Sequence, residues 1–452
     1  MADRRFLTAE TRRILALAWP VVLTSLNWTI LHVTDIVVVG LVSTEQVAAL
    51  GASRTLTFIL IVAALGAMSG VLVFVARADG AGDLKRTGRV LREGLVLGLG
   101  FGMAAWFVLF AFASQLLVGV GVAPALVPDA ARVVRVMAFG FPFQLVIVAA
   151  SYFLEGISRP RRVMVVNLGV LPFNAVLAWV LADGLLGFPE MGAVGAATAT
   201  VIASALGAVA MLVAVWTLRH ADARGVHDLG RAAWAGAGRG AAALARFGLV
   251  PAIASALELA GFSILIALST QLGDATAHAF QIVFSVHNVT FGLALGLGSA
   301  AGVRTGNAVG EGHPEAAMPR AGIAIGLAGA AMAALAGVLV LAAPMIVAGF
   351  PATAEVHALA GAMLPVWAPF IVFDGLQIVL VYTLRSLGDQ VVAGVNSIIA
   401  YFLVTGGLGW ALVHHGAGPM GLVYASGTGM LVAALLNGSR FWRLSRRFHR
   451  QS

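Results

Sequence analysis

The segment FGLVPAIASALELAGFSILIALSTQL, residues 247–272, carries one charged side chain, Glu258, in an otherwise uncharged and largely apolar run. Coiled as an α-helix at about 1.5 Å per residue, it is long enough to cross the roughly 30 Å hydrocarbon core of a bilayer. Eleven comparable runs occupy approximately 14–39, 46–75, 93–116, 129–156, 162–183, 193–217, 277–303, 320–349, 358–384, 391–413 and 419–438. The chain therefore reads as an all-α membrane protein with 12 transmembrane helices. Composition agrees: 60% of the 452 residues are hydrophobic and only 11% charged, with a mean hydropathy of +0.96. A soluble domain carries about 25% charged residues, and a membrane barrel shows alternating segments of about 10 residues; the sequence fits neither. There is no cysteine, which rules out disulfides, thiolate metal sites and cysteine nucleophiles.

The net charge of +8 is unevenly placed. Arg77, Lys85, Arg86, Arg89 and Arg92 fall in the second connection, Arg159, Arg161 and Arg162 in the fourth, Arg219 through Arg246 in the sixth, Arg304 and Arg320 in the eighth and Arg385 in the tenth. Odd-numbered connections are nearly free of Arg and Lys. Cytoplasmic loops of membrane proteins collect such residues, so the basicity needs no nucleic-acid partner and predicts both termini in the cytoplasm. Met1 to Arg13 is basic and runs into the first span with no small-residue cleavage site, so that span is expected to stay.

The chain repeats itself. A shift of about 230 residues lays Gly66 on Gly296, Gly80 on Gly310, Gly82 on Gly312 and Tyr152 on Tyr382, and Pro20 meets Pro251 at a shift one larger. Six spans per copy give both copies one orientation, as in parallel transporter repeats. The expected layout is an N-terminal six-helix lobe at 1–218, a cytoplasmic linker at 219–246 and a C-terminal six-helix lobe at 247–452, with a cavity between the lobes. The linker is expected as a solvated tether, with a short surface helix near 229–244 as the alternative. Gly292, Gly296, Gly298, Gly302, Gly306 and Gly310 set small residues at helix-packing intervals. No Lys-Ser/Thr of a phosphate loop follows Gly306 to Gly312, so uphill transport must draw on an ion gradient or a partner.

Three carboxylates lie inside apolar runs: Asp35, Glu258 and Asp374. Ionisable groups at bilayer depth are costly and mark ion or substrate pathways. In the second lobe, Gln281, Ser285 and Asn288 follow Glu258 as one stripe at i, i+4, i+7, and Asp374 has Gln377 one turn on and Tyr382 further along. Carboxylate, amide and hydroxyl oxygens suit small hard cations, and the negative charge attracts an organic cation. A sodium ion would sit at Glu258 and Asp374; the same carboxyls can instead take up and release protons. Interhelical hydrogen bonding accounts for the Gln281 stripe equally well. In the first lobe, His32 precedes Asp35 by one turn, and Asn167 and Asn174 share a face. His32 either tunes Asp35 or packs near the interface. Glu155, Arg159 and Arg161 read as structural, by ion pairing or snorkelling near a cytoplasmic helix end, and Arg304 with Glu311 reads the same way. His278, His287, His414 and His415 are too scattered for a metal site, and no nucleophile and base pair suggests an enzyme.

The stretch LAWPVVLTSLNWTILHVTDIVVVGLVS (17–43), with LEGISRPR (154–161), VRTGNAVGEG (303–312) and FDGLQ (373–377), resembles the multidrug and toxic compound extrusion family, its NorM-like branch best. The likeness spans essentially the whole chain. It implies an inner-membrane antiporter, with no cofactor beyond its coupling ion, that exports amphipathic, often cationic organic compounds in exchange for Na+ or H+. The chain is expected to act as a monomer. Relatives of a related branch have a cation or proton site in the first lobe, and Asp35, Asn174 and Thr200 match its positions. Where many relatives carry a further Asp or Asn, this chain has Ala178, one oxygen ligand fewer. A flippase for lipid-linked precursors is the alternative, but it would need basic residues within the spans to hold pyrophosphate.

Overall fold

The computed structural model describes the backbone of residues 4–451 and, within it, side chains other than those at 28, 29, 32, 44, 45 and 448–451. The described residues form helices and connecting turns. Among the described residues ten helices are long and apolar enough to cross a membrane, and a bent pair brings the count to 11. The remaining expected span, 14–39, lies within α1, Arg4–Val42. Phe107, Val176, Leu341 and Leu435 lie exposed on helix surfaces, a face suited to lipid.

The chain forms two compact units, Met1–Ser25 with Ile253–Ser452, and Leu26–Ala252. In the 26–252 unit the rest of α1 is followed by α2 (Thr44–Gly80), α3 (Leu84–Gly119), α4 (Val127–Ala138), α5 (Phe141–Gly156), α6 (Pro160–Asp183), α7 (Gly192–Trp216), the single turn α8 (Arg231–Trp234) and the start of α9 (Ala237–Gln271). The expected span 129–156 is bent by 47° between α4 and α5, where Gly140 precedes the helix and Pro142 lies in its first turn. The expected linker is largely folded onto this unit. Arg224 pairs with Asp79 at 2.7 Å and bonds Thr87 at 2.8 Å, and Arg92 donates to the Gly225 carbonyl at 2.7 Å. Residues 237–246 extend α9, and Leu244 is buried there beside Phe247, whose ring meets Phe74 at 5.2 Å.

The 253–452 unit holds the rest of α9, then α10 (Asp274–Gly310), α11 (Pro314–Leu341), α12 (Ala343–Ala348), α13 (Ala354–Trp367), α14 (Ile371–Ser386), α15 (Gln390–Ser397), a π-helical stretch (Ile398–Gly406), α16 (Gly407–His414) and α17 (Gly418–Gln451). The expected span 358–384 is interrupted at Ala368–Phe370 by a 3₁₀ turn containing Pro369, which has no N–H to continue the ladder.

The unit boundaries differ from the expected 1–218 and 247–452 because the chain changes unit inside α1, after Ser25, and inside α9, after Ala252. The repeat-related glycines show the reason. A Cβ on Gly66 would lie 2.7 Å from the Pro251 carbonyl, and one on Gly296 would lie 2.8 Å from the Ala18 carbonyl beside Pro20. Each glycine lets the leading half of a proline-bearing helix press directly onto α2 or α10. Ser25 Oγ adds a bond to the Gly292 carbonyl at 3.2 Å.

That leading half of α1 is also held by charge. Arg304 donates through Nε to Glu10 Oε1 at 2.5 Å and through Nη2 to Oε2 at 2.8 Å, and both side chains are buried. Arg304 thus pairs across 294 positions rather than with Glu311 as expected. Glu311 is instead taken by Arg320 at 2.6 Å, and that hydrogen bond holds its carboxyl below the usual carboxylate range.

Candidate functional site

In the 253–452 unit the site centres on Asp374, which is 1% exposed. The 3₁₀ turn before α14 places it in that helix's first turn, where the exposed N–H groups and the helix dipole favour negative charge. Tyr401 donates to its Oδ1 at 3.0 Å and Gln377 reaches the same oxygen at 3.5 Å. Oδ2 has no hydrogen-bond partner among the described residues. Tyr401 comes from the π-helical stretch, in which Thr405 Oγ1 bonds back to the Ala400 carbonyl at 3.3 Å. Such stretches recur at functional sites.

Glu258, half-buried on α9, feels the charges of Asp374 and Arg385, and Tyr401 feels both carboxylates. His287 faces Asp374 electrostatically. Its ring, 6% exposed, is boxed by Phe262, Phe284, Phe291 and Trp367, with centroids 5.3, 5.7, 5.8 and 5.5 Å away. Neither Asp374 nor Glu258 forms an ion pair among the described residues. A carboxyl, a phenol and an amide are thus hydrogen-bonded together, and a second carboxyl and an imidazole act on them through charge. An orphaned carboxylate oxygen beside an unpaired carboxyl is a donor set that suits a hard monovalent cation or a proton. Among the described residues no three His, Asp or Glu side chains converge as a multivalent metal site.

Not all the expected residues join this cluster. Gln281 and Asn288 are exposed on α10, and Ser285 bonds back to the Gln281 carbonyl at 2.8 Å. It is the neighbouring His287 that turns inward. Tyr382 packs on the glycines of α10: a Cβ on Gly298 would lie 2.9 Å from its ring. The Arg385 guanidinium lies 5.8 Å from its ring centroid. Tyr401 and His287 are the members that sequence reading passed over.

In the 26–252 unit Asp35 is fully buried at three converging donors. Asn174 donates to Oδ1 at 3.2 Å, Thr200 donates to Oδ2 at 3.3 Å, and Arg54 of α2 forms a close ion pair with Oδ2. Ala178 is buried and supplies no oxygen. Asn167 stays apart and donates to the Val163 carbonyl at 3.0 Å; the His32 side chain lies outside the described residues. Arg54 was legible as the lone charge in its apolar run, yet nothing nearby in sequence names its partner.

The profile of the MatE family matches this chain twice, at residues 20–180 and 251–410. The chain belongs to the MatE family. The two matches begin 231 residues apart and end 230 apart, the offset at which the glycines align. At full length the chain is 31% identical to "Probable multidrug resistance protein NorM" of Bradyrhizobium diazoefficiens, over 98% of this chain and 95% of that protein. It is 32% identical to the protein of the same name from Mesorhizobium japonicum, over 97% and 94%. The crystal structure of the eukaryotic MATE transporter AtDTX14 superposes with a TM-score of 0.87 at 18% identity, covering 98% of this chain and 99% of that one. This MatE protein is thus a multi-pass membrane transporter with the 12-helix fold of the family. The apolar spans do hold a basic residue, but Arg54 is paired with Asp35, and no finding favours the pyrophosphate grip of a flippase.

Proposed function

We propose that this MatE protein is a secondary antiporter of the bacterial plasma membrane that expels amphipathic organic cations in exchange for Na+ or H+ by alternating access. The observation that carries the reading is Asp374, a buried carboxylate with an unpartnered oxygen, electrostatically coupled to Glu258 and lacking an ion pair among the described residues. Substrate and coupling ion compete for this negative charge, so occupancy by one promotes departure of the other. Asp374 and Glu258 would hold the cation, Tyr401 and Gln377 would orient the carboxylate, and the aromatic box around His287 would exclude water. The likeness to proteins named for multidrug resistance supports organic substrates, and the negative site supports cationic ones.

The basic connections support both termini in the cytoplasm, and action as a monomer is part of the same reading. The test is dye efflux from proteoliposomes holding the purified chain, with sodium and proton gradients imposed separately. Ethidium movement driven by one of the two gradients is expected. Movement under neither gradient contradicts antiport.

A further inference from the structure

The resemblance to relatives with a first-lobe cation site makes Asp35 a coupling-ion candidate, and the geometry argues otherwise. Every group bonded to the Asp35 carboxylate presents a hydrogen: the Arg54 guanidinium and Thr200 hydroxyl at Oδ2, and the Asn174 amide nitrogen at Oδ1. A bound sodium ion needs oxygen lone pairs turned toward it; Ala178 supplies none, and Asn174 turns its amide nitrogen to Asp35 while its own Oδ1 is buried with no hydrogen-bond partner among the described residues. The charge is answered as well. Arg54 is the one charged group acting on Asp35 among the described residues, and the two side chains are 11% and 1% exposed.

We propose that Arg54 is the resident cation of the first-lobe site, a guanidinium tethered to α2 in the place of a mobile coupling ion. Asp35 with Arg54 is neutral as a pair, so this unit takes up no sodium ion or proton of its own. Coupling is thereby confined to Asp374 and Glu258 of the 253–452 unit, which form no ion pair among the described residues. The assignment rests on the proposed antiport only in naming where the exchangeable ion resides; the pairing of Arg54 with Asp35 stands independently.

The surroundings of Arg54 fit this role. It borders a cavity of about 60 Å³ whose lining is apolar at Phe58, Ile61 and Phe141 and polar at Thr57, Gln144 and Thr200. That lining includes no carboxylate among the described residues, and the tethered guanidinium keeps its charge on Asp35. An arginine also stays protonated across the physiological range, so the pair does not release its positive charge when external sodium or pH changes. A small diffusible ion at the same place would exchange. The repeat underlines the asymmetry: at the offset of about 230 residues Arg54 falls on Phe284, and Glu258 falls on Asn27. Each lobe has charged residues that the other lacks, and Asp374 and Glu258 are the ones with no ion pair among the described residues.

Removing one member of a buried ion pair leaves an uncompensated charge, which must then be met by other means. The test uses the purified full-length chain in detergent, with equilibrium binding of ²²Na+ and proton uptake followed by a pH indicator. Arg54→Gln is expected to bind one more monovalent cation equivalent per chain than wild type, summed over sodium and protons. Arg54→Lys and the doubly neutral Asp35→Asn/Arg54→Gln are expected to match the wild-type stoichiometry. Wild-type stoichiometry in folded Arg54→Gln overturns the proposal. Loss of one equivalent in the doubly neutral variant overturns it too, since Asp35 would then carry an exchangeable cation in the native protein. Should Arg54→Gln not fold, the doubly neutral variant alone decides. Glu258→Gln/Asp374→Asn in the same assay reports on the antiport site separately: unchanged binding there contradicts that reading and leaves the Arg54 comparison intact.

Discussion

The Tyr401 hydroxyl donates to one oxygen of the Asp374 carboxylate at 3.0 Å, while the other, equally buried, has no hydrogen-bond partner among the described residues. One side of the carboxylate is fixed by the protein and the other is open to a ligand. Tyr401→Phe keeps the ring in its fully buried place and removes only the donor. A hydrogen bond to a charged group contributes about 1.5–3 kcal/mol, and one donated to the carboxylate competes with a bound cation for its charge, so the half-saturating concentration of the coupling cation should fall by about tenfold or more. Efflux rates measured against cation concentration check this; an unchanged midpoint would sever Tyr401 from the site.

Glu10 and Arg304 fasten the leading half of α1 to α10 as a buried pair. Glu10→Gln should lower stability by about 3–5 kcal/mol, the usual cost of leaving one buried charge alone. The charge-reversed Glu10→Arg/Arg304→Glu should recover part of it. Thermal unfolding of the purified variants in one detergent measures both.

Gly66 and Gly296 are equivalent positions in the repeat, and each faces the backbone of a proline-bearing helix with no room for a side chain. Gly66→Val and Gly296→Val should each sharply reduce folded protein, whereas Gly82→Ala, with open space around its Cβ but a φ of +70°, should cost only about 1 kcal/mol. Size-exclusion profiles of the expressed variants separate these outcomes.

Gln281 and Asn288 lie exposed on α10, away from the hydrogen bonds of Asp374. Alanine at either should leave the cation midpoint within about twofold of wild type, the span of an ordinary surface change. A tenfold shift in the same efflux titration would return them to the ion site.

Much of the architecture was legible because long apolar runs and a repeated glycine pattern are local or periodic signals. The MatE profile finds the same offset, and Asp35, Asn174 and Thr200 do converge, as the resemblance implied. Three features were hidden for physical reasons. Glu10 and Arg304 meet across 294 positions, and no spacing rule reaches that far. Tyr401 sits where the helix widens to π geometry, so a face projected at 3.6 residues per turn is out of register from that point on. The stripe read along α10 traced its neutral polar residues, whereas His287, next to Asn288, is the one whose side chain is buried.

The sequence also contains no cysteine, so a single introduced thiol reports its own location without background. Lys85→Cys and Ala123→Cys, both at exposed positions, should react with a membrane-impermeant maleimide from opposite sides: Ala123→Cys in intact cells, and Lys85→Cys only after permeabilisation. The reverse pattern would invert the proposed orientation.

Exchange is assigned to the unpaired carboxylates of the 253–452 unit, and everything proposed for transport depends on that assignment. The most direct measurement is gradient-driven ethidium efflux in proteoliposomes for wild type, Glu258→Gln and Asp374→Asn, with protein insertion matched. Loss of ion-driven efflux in both variants is predicted, with Asp374→Asn the more severe. Wild-type efflux in both variants would contradict the assignment.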